Sequence, residues 1–333
     1  MKGCAALGFS IIIPVKEING YVLKSVPITL GIDYVDFEVL VLPNEMPSGP
    51  LPSCLQDPRV RLIPTGRVGP AVKRDLGAEH ATYDRLAFLD DDAYPRSDWL
   101  READKAFSET GAAAICGPGV TPPESSLAEQ ASGLFFETLV GGGGMDYRYR
   151  PVGRSFSVDD FPTVNLLVDK QAFLSVGGFD SAYWPGEDTK FCLDFVRAGH
   201  GIWYSPAVVV YHHRRRVLWP HLRQVGNYGK HRGYFARTFP ETSARFTYFV
   251  PSLFLVGIVT LGVAGFVNAM SWRALVALLL LYFSLVVIDV FSRTRDLVLG
   301  LLTVLTVFAS HLTYGAMFLR GLLWPPNLQS RLR

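Results

Sequence analysis

Cysteine is scarce and scattered in this chain. The four residues, Cys4, Cys54, Cys116 and Cys192, include no CxxC pair, which argues against structural zinc and fits a reducing compartment. Residues 1–8 offer no room for an apolar leader, so the N-terminal part is expected to stay in the cytosol. Acidic residues are missing from 195 to 240, and charge of either sign is missing from 246 to 272. The formal net charge over 333 residues is nonetheless only +2. It is the distribution of charge that is unusual, not its sum.

The uncharged run at 246–272 exceeds the roughly 20 apolar residues that the hydrocarbon core of a bilayer requires. Residues 274–288 are apolar up to Asp289, and 297–319 are interrupted only by His311. Membrane helices are therefore predicted at about 246–270, 272–292 and 297–319, the second reaching full length only if Asp289 lies at the interface. Buried helices of a soluble core are the competing reading, and long uncharged runs disfavour it. Arg293 and Arg295 favour a cytosolic loop between the second and third segments, while the first connection carries only Arg273. Three crossings would place the C-terminus outside, against the preference of Arg320, Arg331 and Arg333.

In the first 245 residues short β-branched runs alternate with helical patterns. Strands are predicted at 9–15, 37–42, 59–64, 85–89 and 112–116, and helices at 20–30 and 69–81. This alternation implies right-handed crossovers and a parallel sheet, with ligands bound beyond the carboxyl ends of the strands. Asp90, Asp91 and Asp92 lie on that edge, directly after Leu86-Ala87-Phe88-Leu89, and Pro43-Asn44-Glu45 follows the second strand. Like charges this close disfavour one another's ionised form, whereas a divalent cation lets all of them stay ionised. Hard oxygen ligands suit Mg2+ or Mn2+. The plainer role for such acidity is a solvated helix start, since Ser97-Asp98-Trp99-Leu100 has that pattern.

A second acidic motif, Glu187-Asp188, follows Trp184-Pro185-Gly186 and opens a helical pattern. There the helix dipole stabilises an ionised carboxylate, which can act as a base without being buried. Simple capping accounts for one of these acids but hardly for both. Gly141 to Gly144 is a run of four glycines, read either as a linker or, preferably, as a loop that orders over a substrate. Gly142 and Gly143 are its candidate residues, with Trp184 and Glu187 placed on the acceptor side.

Ile11-Ile12-Ile13-Pro14, Phe88-Leu89-Asp90-Asp91-Asp92, Gly177-Gly178-Phe179-Asp180 and Gly186-Glu187-Asp188-Thr189 occur in that order. Over about residues 9–213 they resemble the family 2 inverting glycosyltransferases of the GT-A fold. The resemblance implies an α/β, Rossmann-like, mostly parallel sheet. It implies that Asp90 to Asp92 is the DXD element, with Asp90 and Asp92 on the metal and Asp90 and Asp91 toward the sugar-nucleotide diphosphate, and that Asp188 is the base. A metal-binding histidine often follows the last core strand in such families. Here Val208-Val209-Val210-Tyr211 is that strand, His212 the candidate and His213 the lesser one. Pro14, Glu17, Asn44, Lys73 and Arg74 are the implied nucleotide-binding positions. The family's acidic pair after the second strand is replaced by Asn44-Glu45, which leaves UDP, GDP and dTDP all open.

The basic stretch from 195 to 240 interleaves Arg, Lys and His with Trp219, Leu222, Val225, Tyr228, Tyr234 and Phe235 at roughly helical spacing. Such a helix suits an anionic membrane surface. Nucleic acid is the rival partner, and adjacency to the apolar run at 246 decides for membrane lipids and against nucleic acid. The Gln-x-x-Arg-Trp motif of processive relatives is absent, with Gln224 and Arg232 the nearest equivalents. The expected organisation is a catalytic domain over 1–211, a basic amphipathic interface region over 212–245 and membrane helices over 246–333. The expected activity is metal-dependent, inverting transfer of a sugar from a nucleotide-sugar donor to a hydroxyl of a polyprenyl-linked saccharide. The protein is expected to be integral to the membrane with its catalytic domain cytoplasmic. A polyprenyl-phosphate sugar synthase and a noncatalytic nucleotide-sugar sensor are the alternatives.

Overall fold

The structure, a computed structural model, describes residues 8–324. These form two compact units, one of residues 8–120 with 150–212 and the other of 121–149 with 213–324. The first unit is thus not the continuous stretch 1–211 that the sequence suggested. Residues 121–149 leave it because Leu134, Phe135 and Phe136 find their apolar partners in Val225, Val286, Val290 and Val307.

The first unit is built on a mixed, mostly parallel sheet. Its strands are β1 (Phe9–Pro14), β2 (Phe37–Leu42), β3 (Val60–Leu62) and β4 (Arg85–Phe88), with β5 (Ala93–Pro95), β6 (Ala114–Cys116), β7 (Gly119–Val120), β8 (Phe156–Val158), β9 (Leu166–Asp169), β10 (Ile202–Tyr204) and β11 (Val210–His212). The main sheet has the order β3-β2-β1-β4-β9-β6-β10-β8. β1 lies parallel to β2 and β4, whereas β9 runs antiparallel to both of its neighbours and β8 antiparallel to β10. β1 and β2 are buried along their whole length, as expected of central strands covered on both faces. A second sheet, β5-β11-β7, carries the residues just after the acidic triplet.

One core cluster joins Phe9, Ile11 and Ile13 of β1 to Val39 and Val41 of β2 and to Trp99 and Phe107 of the helix Trp99–Thr110. Buried Asn165 ties these layers together. Its Oδ1 accepts from Trp99 Nε1 at 2.8 Å and its Nδ2 donates to the Val208 carbonyl at 2.7 Å. A buried amide satisfied on both sides holds a single arrangement.

In the second unit, the helices Phe246–Gly265, Ala269–Phe291 and Leu297–Leu323 are long and apolar enough to cross a membrane. The basic stretch forms the helix Trp219–Thr238. Gly226, Gly229 and Gly233 seat it against Leu297–Leu323: a Cβ on Gly229 would stand 2.7 Å from the Tyr314 carbonyl oxygen, and one on Gly233 would overlap that of Phe318. Small residues at this spacing let two backbones approach closely. The polar interruptions of the apolar runs have partners. Asp289 Oδ2 accepts the Val140 N–H at 2.7 Å, His311 Nε2 meets the Val140 carbonyl at 3.1 Å, and the Tyr282 hydroxyl meets His311 Nδ1 at 2.9 Å. His221, wholly buried, sits between the hydroxyls of Ser132 at 2.7 Å and Ser310 at 3.0 Å.

Candidate active site

β4 ends at Phe88, and the Ala93 N–H returns to the Asp90 carbonyl at 3.1 Å. This turn projects the acidic triplet from the carboxyl edge of the sheet. Asp92 is buried and Asp90 half-buried. β11 pairs antiparallel with β5 so that His212 faces Ala93, the residue after Asp92. His212 therefore closes the strand; it does not follow it, because pairing begins only at Val210 opposite Pro95. Its Nε2 lies 3.2 Å from Asp92 Oδ1. Asp90, Asp92 and His212 each offer a ligand atom, and these atoms lie within 4.8 Å of one another. Two carboxylates and an imidazole in so small a space fit a divalent cation, by donor type and by charge.

Arg74 organises the acids behind this cluster. Buried on the helix Pro70–His80, it reaches Asp90 Oδ1 at 2.7 Å and Glu187 Oε1 at 3.1 Å. Burial works against its charge, but the carboxylates of Asp90 and Glu187 outweigh this and leave its pKa raised. Burial likewise holds the Glu187 carboxyl up, opposed by the Arg74 cation. Lys73, buried beside it, gives its protons to the carbonyls of Val15 at 2.6 Å and Leu42 at 2.9 Å and to Asn44 Oδ1 at 2.8 Å. An ammonium has three donors, and all are used. Burial pushes its pKa down to about 8. Lys73 and Arg74 thus fasten the ends of β1, β2 and β4.

The other sequence candidates fall as follows. Asp91 accepts from Asn19 Nδ2 at 2.7 Å, while Asn19 Oδ1 caps the helix Gly20–Leu30 at Tyr21 and Val22. Pro14 ends β1, Glu17 is exposed just beyond it, and Asn44 is half-buried at the end of β2. Asp188 stands half-buried in the first turn of the helix Glu187–Arg197, its Oδ1 accepting the Thr189 N–H at 2.7 Å. Trp184 is half-buried just before that helix. Gly142 and Gly143 belong to the second unit, where Gly142 ends the short helix Leu139–Gly142 and Gly143 takes a φ of 62°.

Sequence reasoning missed Asp75, which faces the glycine turn. Its Oδ1 accepts the Phe179 N–H at 2.9 Å, and Gly178, at φ 71°, leaves room for that carboxyl. Burial pushes Asp75 up to about 7. A lone aspartate inside a helix gives no sequence signal of such a contact.

The model of the family described as "Glycosyl transferase family 2" matches residues 10–157, and that of "Glycosyl transferase family group 2" matches residues 86–319. The chain belongs to the family 2 glycosyltransferases, and it is a transferase of the GT-A fold. It is 30% identical over 177 residues to the pre-mycofactocin glycosyltransferase of Mycobacterium tuberculosis, an alignment covering 53% of this chain and 37% of that protein. It is 31% identical over 149 residues to the succinoglycan biosynthesis protein ExoM of Rhizobium meliloti, covering 42% and 43%. The chain thus spans less than half the length of these curated relatives. Among solved structures it resembles the mannosyltransferase PcManGT of Pyrobaculum calidifontis, in complex with GDP-Man and Mn2+, with a TM-score of 0.61, 17% identity and coverage of 95% of this chain and 87% of that one.

Proposed function

We propose that the protein moves a sugar from a nucleotide-sugar donor to a hydroxyl of a polyprenyl-linked acceptor, with inversion at the anomeric carbon, on the cytoplasmic side of a membrane. The observation that supports this most is the convergence of Asp90, Asp92 and His212 within 4.8 Å, with Asp188 held separately at a helix start. Asp90, Asp92 and His212 would hold Mg2+ or Mn2+. When bound, the cation neutralises charge that develops on the diphosphate leaving group. Asp188 takes the proton of the attacking hydroxyl at its carboxylate, and a displacement with one base and no covalent enzyme intermediate inverts the sugar. Pro14, Glu17 and Asn44 border the nucleotide, be it UDP, GDP or dTDP. Asp91, steadied by Asn19, flanks the diphosphate. Arg74 keeps Asp90 oriented and screens Glu187 from its neighbouring acids. Trp184 and Glu187 border the acceptor. The apolar helices keep the enzyme where a lipid-linked acceptor resides.

The test uses membranes containing the full chain, labelled UDP-, GDP- and dTDP-sugars, and added lipid extract, with Mn2+ or with excess chelator. Label should enter the lipid phase for one donor and only with the metal. Undiminished transfer in chelator, or no transfer from any donor, overturns the reading.

A further inference from the structure

The apolar helices Phe246–Gly265 and Ala269–Phe291 form an antiparallel hairpin. The rings of Phe254 and Tyr282 stack at 4.2 Å, and the hairpin closes where a Cβ on Gly265 would stand 2.7 Å from the Trp272 ring. Its open end is made of the first turns of one helix and the last turns of the other. The third apolar helix, Leu297–Leu323, touches both. Near its start, a side chain on Gly300 would strike the Phe291 ring. Near its end, the Phe318 and Phe249 rings are 4.8 Å apart, and Ser252 Oγ donates to the Gly315 carbonyl at 3.0 Å. A helix that begins beside residue 291 and ends beside residue 249 lies across the mouth of the hairpin, so both its ends are on one side of the bilayer.

The helices packed beside it impose the same placement. From 310 to 321 it is pressed to the basic helix Trp219–Thr238. Ser310 Oγ is 3.0 Å from His221 Nε2, and a Cβ on Gly321 would overlap the Lys230 carbonyl oxygen. The basic helix carries Arg223, Lys230, Arg232 and Arg237 and no acidic residue. It cannot accompany a partner through hydrocarbon, where every cation is costly. The remainder, residues 297–309, is about 20 Å long at roughly 1.5 Å per residue, short of the roughly 30 Å of a bilayer core. Even there Val304 and Val307 pack in one cluster with Phe135, Phe136 and Val225.

We propose that the hairpin 246–291 alone crosses the membrane, and that Leu297–Leu323 lies lengthwise in one leaflet, with its exposed Leu301 and Leu305 among the acyl chains. Two crossings then replace the three expected from the sequence. Arg293, Arg295 and Arg320 share the side of the basic helix, and only Arg273 stands at the hairpin tip, a one-sided bias typical of membrane proteins.

Sidedness is measured on the full chain with Cys4→Ser and Cys54→Ser, since Cys116 and Cys192 are buried. Val267→Cys, Arg295→Cys and Trp324→Cys, all at exposed positions, are treated singly with a membrane-impermeant maleimide in intact and in permeabilised cells. Arg295→Cys and Trp324→Cys should react alike, and Val267→Cys from the opposite side. Reaction of Trp324→Cys from the side of Val267→Cys overturns the proposal, as does reaction of all three from one side. Depth is measured on nitroxide labels at Leu305→Cys and Leu280→Cys by power-saturation electron paramagnetic resonance in vesicles. Leu280, midway along its helix, should read about 15 Å deep, and Leu305 only about 5–10 Å below the headgroups. Equal depths overturn the proposal too. None of these readouts depends on donor or acceptor. Failure of the transfer assay leaves the placement standing, and a third crossing leaves the transferase reading standing.

Discussion

His212 Nε2 stands 3.2 Å from Asp92 Oδ1 because the residue after Asp92 is paired in register with His212 across antiparallel strands. The small sheet, and no local motif, makes the histidine part of the acidic site. His212→Ala should weaken Mn2+ binding at least about 10- to 100-fold, the range found for removing even the supporting partners of a metal site. His213→Ala should change it little. Electron paramagnetic resonance titration of free Mn2+ compares the two, and equal small effects would place His212 outside the metal shell.

Asp188→Asn keeps the size and the acceptor for the Thr189 N–H but removes basicity. Turnover should fall by about 10² to 10⁴ with donor affinity nearly unchanged. A lipid phosphate is already ionised near neutrality and gains little from a base. An Asn variant that retains most of its rate would favour phosphate attack over hydroxyl attack.

Arg74 is a single buried cation shared by Asp90 and Glu187. Removing one partner of a buried pair costs about 3–5 kcal/mol, so Arg74→Ala should lower the denaturation midpoint strongly. Glu187→Gln added to Arg74→Ala should restore part of the loss, since it discharges the stranded carboxyl. Thermal or denaturant unfolding reads both, and simple additivity of the two changes would deny the coupling.

Asp75 sets a pH dependence. Its folded pKa of about 7 lies above the roughly 3.9 of an unfolded aspartate. Between these values the native state binds more protons than the unfolded state, so stability falls as pH rises from about 4 to 7. Asp75→Asn keeps an acceptor for the Phe179 N–H and should flatten that part of the profile. An unchanged slope in unfolding measured across this range would assign it to other groups.

Much of the catalytic fold is legible because its central strands are continuous apolar runs. β1, β2 and β4 match their predicted spans to within a residue or so. β8, β9 and β10, of three or four residues each, went unpredicted because no longer apolar run with a following helical pattern marks them. The acidic triplet Asp90 to Asp92 stood out by type, since three carboxylates in a row violate ordinary electrostatics. Asn19, Asp75 and Asn165 did not, because their partners come from distant parts of the chain. The glycine run read as free backbone; yet Gly141 and Gly142 sit where a side chain would strike the carbonyl oxygens of Phe135 and Phe136. Close approach, as much as flexibility, explains glycine there.

The glycine seam between Trp219–Thr238 and Leu297–Leu323 has a practical meaning for anyone shortening the gene. The final apolar helix is not a detachable tether. It is the floor on which the positively charged helix is laid, with Gly226, Gly229 and Gly233 pressed to its backbone and Gly321 answering against the Lys230 carbonyl. A chain stopped at Asp296 would bare that closely fitted surface to solvent along with Val225 and Phe235. Trimming the membrane part to gain a soluble enzyme would therefore yield a sticky fragment, and handling the intact chain in lipid is the sounder route.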